Sequence, residues 1–112
     1  MINQITIAEQ TGTKIIDVGE LMFFQMDNHF TILHLTGFTT IVADHPFEEL
    51  ERTLTKSGFF RISKNTVINL HHLQSFTNDT AILANGTRLT IARKNTDELK
   101  KEAEAFGKFR DI

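Results

Sequence analysis

Ser63, Lys64 and Asn65 stand side by side in FFRISKNTVINLHHL, residues 59–73, three hydrogen-bonding side chains in a stretch otherwise patterned for burial. Phe60, Ile62, Ile68 and Leu70 share one parity and Arg61, Ser63, Asn65 and Asn69 the other, which is the period-two pattern of a half-buried strand. Lys64 falls where the apolar face should continue, with neither glycine nor proline present to make an ordinary turn. Asp27-Asn28-His29 and Arg93-Lys94-Asn95 are comparable polar clusters. Arg and Lys suit guanine O6 and N7, Asn suits adenine N6 and N7, and backbone amides near a helix start suit phosphate. Turns of any kind are also rich in Asn, Asp and Lys, so each cluster has an ordinary structural reading beside the chemical one.

Catalysis has less to work with. The chain has no G-x-S-x-G elbow, P-loop, G-x-G-x-x-G or H-E-x-x-H. It has no cysteine, which removes disulfides, thiolate metal sites and thiol nucleophiles together. Glu48, Glu49 and Glu51, beside Leu50 and Arg52, read as a solvated helix face rather than a catalytic carboxylate pair. His71 and His72 on a strand would point to opposite faces and so would not ligate one metal from it. His34, inside FTILHL, reads as a satisfied or half-buried histidine. The expectation is a non-enzyme without metal, cofactor or small-molecule substrate.

The 112 residues suit one domain, 1–112. No stretch approaches the length of a membrane span, and MINQITIAEQ lacks the basic and apolar regions of a signal peptide, so a cytoplasmic protein is expected. Ten phenylalanines supply all the aromatic content and predict a Phe-built core. A net charge of −2 argues mildly against a polyanionic partner. Its distribution argues the other way. Residues 1–58 carry three Lys/Arg against eight Asp/Glu, and residues 59–112 carry nine against six, so a polyanion would meet the second half.

The elements that must position the polar clusters are mostly strands. INQITIAEQ and TKIIDVGE, parted by Thr11, Gly12 and Thr13, predict a small hairpin or two edge strands within residues 1–18. ELMFFQM and FTILHL flank Asp27-Asn28-His29 as a second hairpin with His29 at its tip, and TTIVAD continues the sheet after Gly37. Asp44 and Pro46 then mark a helix start, with Phe47, Leu50 and Leu54 on one face and Gly58 as the stop. LQSFTND and TAILANGTRLTIAR carry Asn85-Gly86, the strongest short hairpin signal, between strand-like runs. Asn95 and Glu98 resemble a capping box before a terminal helix striped by Leu99, Ala103 and Phe106.

F-x-R-I-S-K-N-x-V-I-N-L from Phe59 to Leu70, the H-H-L-Q-S-F that follows, and L-A-N-G-T-R-L-T-I-A-R from Leu83 to Arg93 together resemble the LytTR DNA-binding domain. ELMFFQMDNHFTILHL is similar to that family's early hairpin, so the resemblance covers residues 20–107, while residues 1–18 match weakly. It implies a mainly β protein, an elongated stack of antiparallel sheets with a short helix after the middle strands and a C-terminal helix. It also implies a bacterial transcription regulator whose loops enter successive major grooves on one face of DNA. The family's tip histidine maps to His29, its contact triplet to Ser63, Lys64 and Asn65, and its late-strand arginine to Arg93. Ala92 stands where the family usually has Ser, and Asn69 in I-N-L has a structural reading instead of a contact.

The leading expectation is a sequence-specific DNA-binding transcription regulator. Arg93 and Lys64 are its main anchors, and His29 and Asn65 base or phosphate contacts. Asn28, Lys94 and Asn95 complete the DNA-binding set, and Arg61 either contacts phosphate or braces the loop. Its partner is double-stranded DNA with paired half-sites, occupied by a monomer or a weak homodimer that forms on DNA. Members of the family commonly follow a receiver domain, so the chain is a fragment of a response regulator or a stand-alone regulator. Met1 and the amino-terminal strands favour the second. Stand-alone members are sometimes restrained by a membrane protein, which would be a further partner. The alternative is a protein-interaction module, using exposed phenylalanines and the acidic first half, with weak or no DNA binding.

Overall fold

A computed structural model describes residues 2–107. Ten strands and two α-helices form three antiparallel sheets, in a body of 48 × 27 × 24 Å. The N-terminal hairpin is β1 (Gln4–Glu9) with β2 (Gly12–Asp17), so the first of the two expected arrangements for this segment holds. The central sheet has the order β5-β4-β3-β7-β6 and is built from β3 (Leu21–Asp27), β4 (Phe30–Leu35), β5 (Thr39–Ala43), β6 (Phe59–Ser63) and β7 (Thr66–Asn69). The third sheet is a meander of β8 (Leu73–Phe76), β9 (Thr80–Leu83) and β10 (Arg88–Thr90). Helix α1 (Phe47–Leu54) follows β5, and α2 (Thr96–Ala105) closes the described chain. This is the elongated β stack with two short helices expected above. Among the described residues no helix is long and apolar enough to cross a membrane.

The central sheet separates two apolar cores. Phe24, Leu33, Ile41 and Val67 join the N-terminal hairpin and the Phe47, Leu50, Leu54 face of α1 in one core. Phe23, Ile62 and Ile68 join the third sheet and Leu99 and Ala103 of α2 in the other. Because successive side chains of a strand point to opposite faces, Val67 and Ile68 send the same strand into both cores. All four residues of β7 are therefore buried, which corrects the half-buried reading of this stretch. Single-sequence alternation describes a sheet with one wet face, and here β7 has none.

Asn69 is the polar consequence. It is fully buried, its amide donates to the Leu21 carbonyl at 2.9 Å, and its Oδ1 accepts from the His71 backbone N–H at 3.0 Å. The side chain thus joins the start of β3 to the end of β7, the structural role that the sequence allowed for it. His71 and His72 lie on a 3-10 turn, not on a strand. The His71 ring pairs with Asn69 Oδ1 and the His72 ring with the Gly19 carbonyl, so each serves a different joint.

Turn chemistry matches the sequence at most corners. Gly86 adopts φ 88° behind Asn85, whose Oδ1 accepts from the Thr87 N–H. Gly58 ends the α1 segment at φ 89°, and an added Cβ there would come within 2.7 Å of the Phe106 ring. The capping box does not form. Asn95 makes no side-chain cap bond, because residues Arg93–Asn95 already form a 3-10 turn and leave Asn95 at φ −99°, ψ −6°. A cap side chain reaches the first helical amides from extended backbone, and this geometry denies it that approach.

Asn69→Ala removes a buried donor and acceptor together and is expected to cost about 2 to 4 kcal/mol of stability, measured by urea unfolding. A loss below about 0.5 kcal/mol, the range of ordinary surface substitutions, would contradict the role assigned to Asn69.

Candidate nucleic-acid interface

The three polar clusters come to one end of the central sheet through backbone pairing. Asn28 and His29 form the two-residue turn between β3 and β4, with Asp27 opposite Phe30. Asn28 takes φ 57°, a left-handed conformation that Asn tolerates better than most residues. Strand β7 runs antiparallel to β3, and the Met26 N–H donates to the Asn65 carbonyl at 2.9 Å beyond the Gln25↔Thr66 pair. The Lys64-Asn65 tip therefore sits beside the Asn28-His29 tip.

The β6–β7 turn is unusual for its length. Two-residue hairpins favour left-handed φ values that match strand twist, yet neither Lys64 nor Asn65 adopts one. Two features compensate. The ladder steps from Arg61↔Val67 to Ser63↔Thr66, leaving Ile62 as the extra residue of a bulge, which adds local twist. The Arg61 guanidinium also clamps the turn from below, with Nε donating to the Ser63 carbonyl at 3.1 Å and Nη2 to the Lys64 carbonyl. Its Nη1 donates to Glu51 Oε1 at 3.1 Å, and its carbon lies 5.0 Å from the Phe47 ring centroid. Of the two roles expected for Arg61, bracing is the one its contacts display. Glu48 and Glu49 are exposed as expected, whereas Glu51 is half-buried and paired, which corrects its reading as part of a solvated face.

The same bulge places the third cluster. Ile62 turns its carbonyl to the Ala92 N–H at 2.7 Å, fixing the start of the Arg93–Asn95 turn against the edge of β6. A concavity of about 540 Å³ lies between the two elements, lined by Arg61, Ser63, Lys64, Ala92, Lys94 and Asn95. Asn28, His29, Lys64, Asn65, Arg93 and Lys94 are exposed, while Ser63 and Asn95 are half-buried. Among the described residues Lys64, Arg93 and Lys94 have no ion-pair partner. The Asn65 Oδ1 accepts from the Ser63 and Thr66 hydroxyls at 3.3 and 3.4 Å, and its amide NH2 has no hydrogen-bond partner among the described residues. Apart from the exposed Asp27 carboxylate, the end of the sheet is thus a set of donors and unpaired cations on a fixed frame, suited to anionic and acceptor-rich ligands.

The residues that support the tips come from distant parts of the chain. Phe47 and Glu51 hold Arg61 from a helix ten or more residues away, a spacing with no sequence signature. Thr31, fully buried, donates to the His45 carbonyl at 2.6 Å and ties β4 to the segment entering α1. His34 lies away from the tips, stacked on Phe23 at 4.1 Å with a ring nitrogen 3.1 Å from Gln25 Oε1. Burial lowers its pKa, in keeping with the half-buried histidine expected there. No group of three or more His, Cys, Asp or Glu side chains is arranged to hold a metal among the described residues.

Comparison with known proteins gives a family and a fold. The family model described as LytTr DNA-binding domain matches residues 11–104. Among solved structures, the LytTr DNA-binding domain of a protein described as a methyl-accepting/DNA response regulator from Bacillus cereus aligns with a TM-score of 0.75 at 18% identity, over 91% of this chain and 97% of that one. No curated protein matches.

Arg61→Ala should loosen the tip while leaving the two cores in place. Amide exchange at Thr66 in the ladder and at Met26, whose N–H donates to the Asn65 carbonyl of the tip, is expected to accelerate by about 10- to 150-fold, the equivalent of about 1.5 to 3 kcal/mol for hydrogen bonds from a charged donor. Unchanged protection at these amides would remove Arg61 as the brace.

Proposed function

The chain belongs to the LytTR DNA-binding domain family, and on that premise we propose that it is a sequence-specific transcription regulator whose three tips read duplex DNA. The observation that carries this reading is the convergence of Asn28-His29, Ser63-Lys64-Asn65 and Arg93-Lys94-Asn95 on one end of the sheet, through the Met26–Asn65 and Ala92–Ile62 backbone bonds. Arg93 is the principal base contact, since a guanidinium can pair with guanine O6 and N7 in the major groove. Lys64 is a phosphate anchor, aided by Lys94, with Ser63 and Asn95 lining the concavity between them. His29, Asn28 and Asn65 supply further base or phosphate contacts. Arg61 positions Lys64 and Asn65 from within. The resemblance to the family implies that these tips enter successive major grooves on one face of the duplex.

Three tips read few base pairs, and competing genomic sites are numerous, so useful discrimination calls for two copies on paired half-sites. Strand β5 ends the central sheet without a charged residue, and the nearby Phe30 and Val42 side chains are about half exposed, at 50% and 53%. This edge suits a weak contact between copies brought together on DNA. The same exposed residues favour the second reading, a protein-interaction module. Salt separates the two, because binding to a random duplex pool should weaken steeply with ionic strength only if phosphates are contacted.

Arg93→Ala is expected to weaken specific binding by about 1 to 3 kcal/mol and relax the sequence preference, measured by gel shift on folded protein. Lys64→Ala should instead weaken binding to all sequences and reduce the slope of log K against log salt by roughly 0.9. Equal effects on specific and random DNA for Arg93→Ala, or an unchanged slope for Lys64→Ala, would overturn the respective assignment.

The half-sites should lie one or two helical turns apart on one face of the duplex, at roughly 34 to 36 Å per turn. Inserting about five base pairs between them rotates one copy to the opposite face. Cooperative occupancy should then collapse while affinity for an isolated half-site is unchanged. Indifference to the insertion would mean that the copies act independently.

A further inference from the structure

We propose that the β8–β9 turn, Thr77-Asn78-Asp79, is a fourth reading element, with Asn78 contacting a base beyond the one read by Arg93. The inference rests on the DNA-binding reading above and extends its footprint. The turn is fastened directly to the segment that carries Arg93. The Ile91 N–H donates to the Asp79 carbonyl at 2.8 Å, and Thr96 Oγ1 donates to the Asn78 carbonyl at 2.7 Å, so both flanks of the Arg93–Asn95 turn hold it.

The turn is also stiffened from within, although all three of its residues are exposed. Thr77 Oγ1 donates to Asp79 Oδ1 and accepts from the Asp79 and Thr80 backbone amides, while Thr80 Oγ1 donates to the same carboxylate oxygen. The Asn78 side chain takes no part in this network and has no hydrogen-bond partner among the described residues. A rigid turn presenting one unengaged side-chain amide, with the Thr77 and Asp79 N–H groups and the Asn78 and Asp79 carbonyls already engaged, loses little freedom on contact. The Asp79 carboxylate beside it would repel phosphate, so the chemistry fits a base edge and not the backbone. Asn pairs in bidentate fashion with adenine N6 and N7.

The test is selection from a random duplex pool with the wild-type chain, Asn78→Ala and Asn78→Asp in parallel, each checked by circular dichroism. The wild-type motif should contain an adenine flanking the base read by Arg93, and Asn78→Ala should lose preference at that position alone. Affinity of Asn78→Ala for the wild-type motif should fall by about 5- to 150-fold, the range of one bidentate base contact. Its salt slope should not change, because no phosphate contact is lost. Asn78→Asp, which can accept but not donate, should move the preference toward cytosine, whose N4 amino group donates. A merely structural role for Asn78 would not redirect the base. If all three proteins select the same motif at every position, the inference fails while the DNA-binding reading stands. If the wild type enriches no motif, both fail.

Discussion

The rest of the structure depends on β7 having no solvent face. Val67 and Ile68 are adjacent and both fully buried, one in each core, so this strand must be covered by the N-terminal hairpin and α1 on one side and by the third sheet and α2 on the other. Its polar residues obey the same constraint. Thr66 and Asn69 are buried too, and Asn69 is tolerated because its amide and carbonyl are both hydrogen-bonded. A strand sealed on both faces can present function only at its ends. Polar side chains therefore gather where β6 turns into β7 and where β3 turns into β4.

Sealing the strand leaves the problem of making its turn rigid. Lys64 and Asn65 give up the left-handed geometry that two-residue hairpins favour, and without support such a turn would splay the strands. The Ile62 bulge and the Arg61 clamp replace that geometry with tertiary contacts. The bulge serves a second purpose, since the carbonyl it frees is the acceptor for Ala92. One irregularity in β6 thus shapes the Lys64 tip and sets the Arg93 turn beside it. Both proposed anchors are fixed relative to each other before any ligand arrives, which limits the ordering entropy of binding.

Local chemistry accounts for what was legible in the sequence. Asn85-Gly86, the polar break at Asp27-Asn28-His29, the Pro46 start of α1 and its Gly58 stop act through neighbouring residues, and the structure follows them. The Ser63-Lys64-Asn65 interruption could be recognised as a tip because it broke a strong alternation. The failures are tertiary. Alternation cannot report that a second sheet covers the other face of β7. Glu51 reads as solvated until Arg61 is brought to it by the fold. Asn95 and Glu98 have the spacing of a capping box, but the preceding 3-10 turn decides the backbone angle that capping requires. The Thr77-Asn78-Asp79 turn looks like any polar loop until its bonds to Ile91 and Thr96 are seen.

The charge balance follows the same logic of placement over composition. A chain of net charge −2 is a poor candidate for a polyanion if its charge is taken as a uniform field. The relevant quantity is the local balance at the end of the sheet. There Glu51 is engaged with Arg61, while Lys64, Arg93 and Lys94 have no ion-pair partner among the described residues. Over distances beyond about 10 Å at ordinary salt, the acidic first half contributes little to that field because it is screened. What it contributes is a weak, screened repulsion of phosphate. Non-specific binding is almost wholly electrostatic, whereas base-edge contacts act only at close range. In the proposed reading, an acidic body with cationic tips keeps the sequence-independent attraction to phosphate small, so discrimination would rest on the base contacts that the turns hold in place.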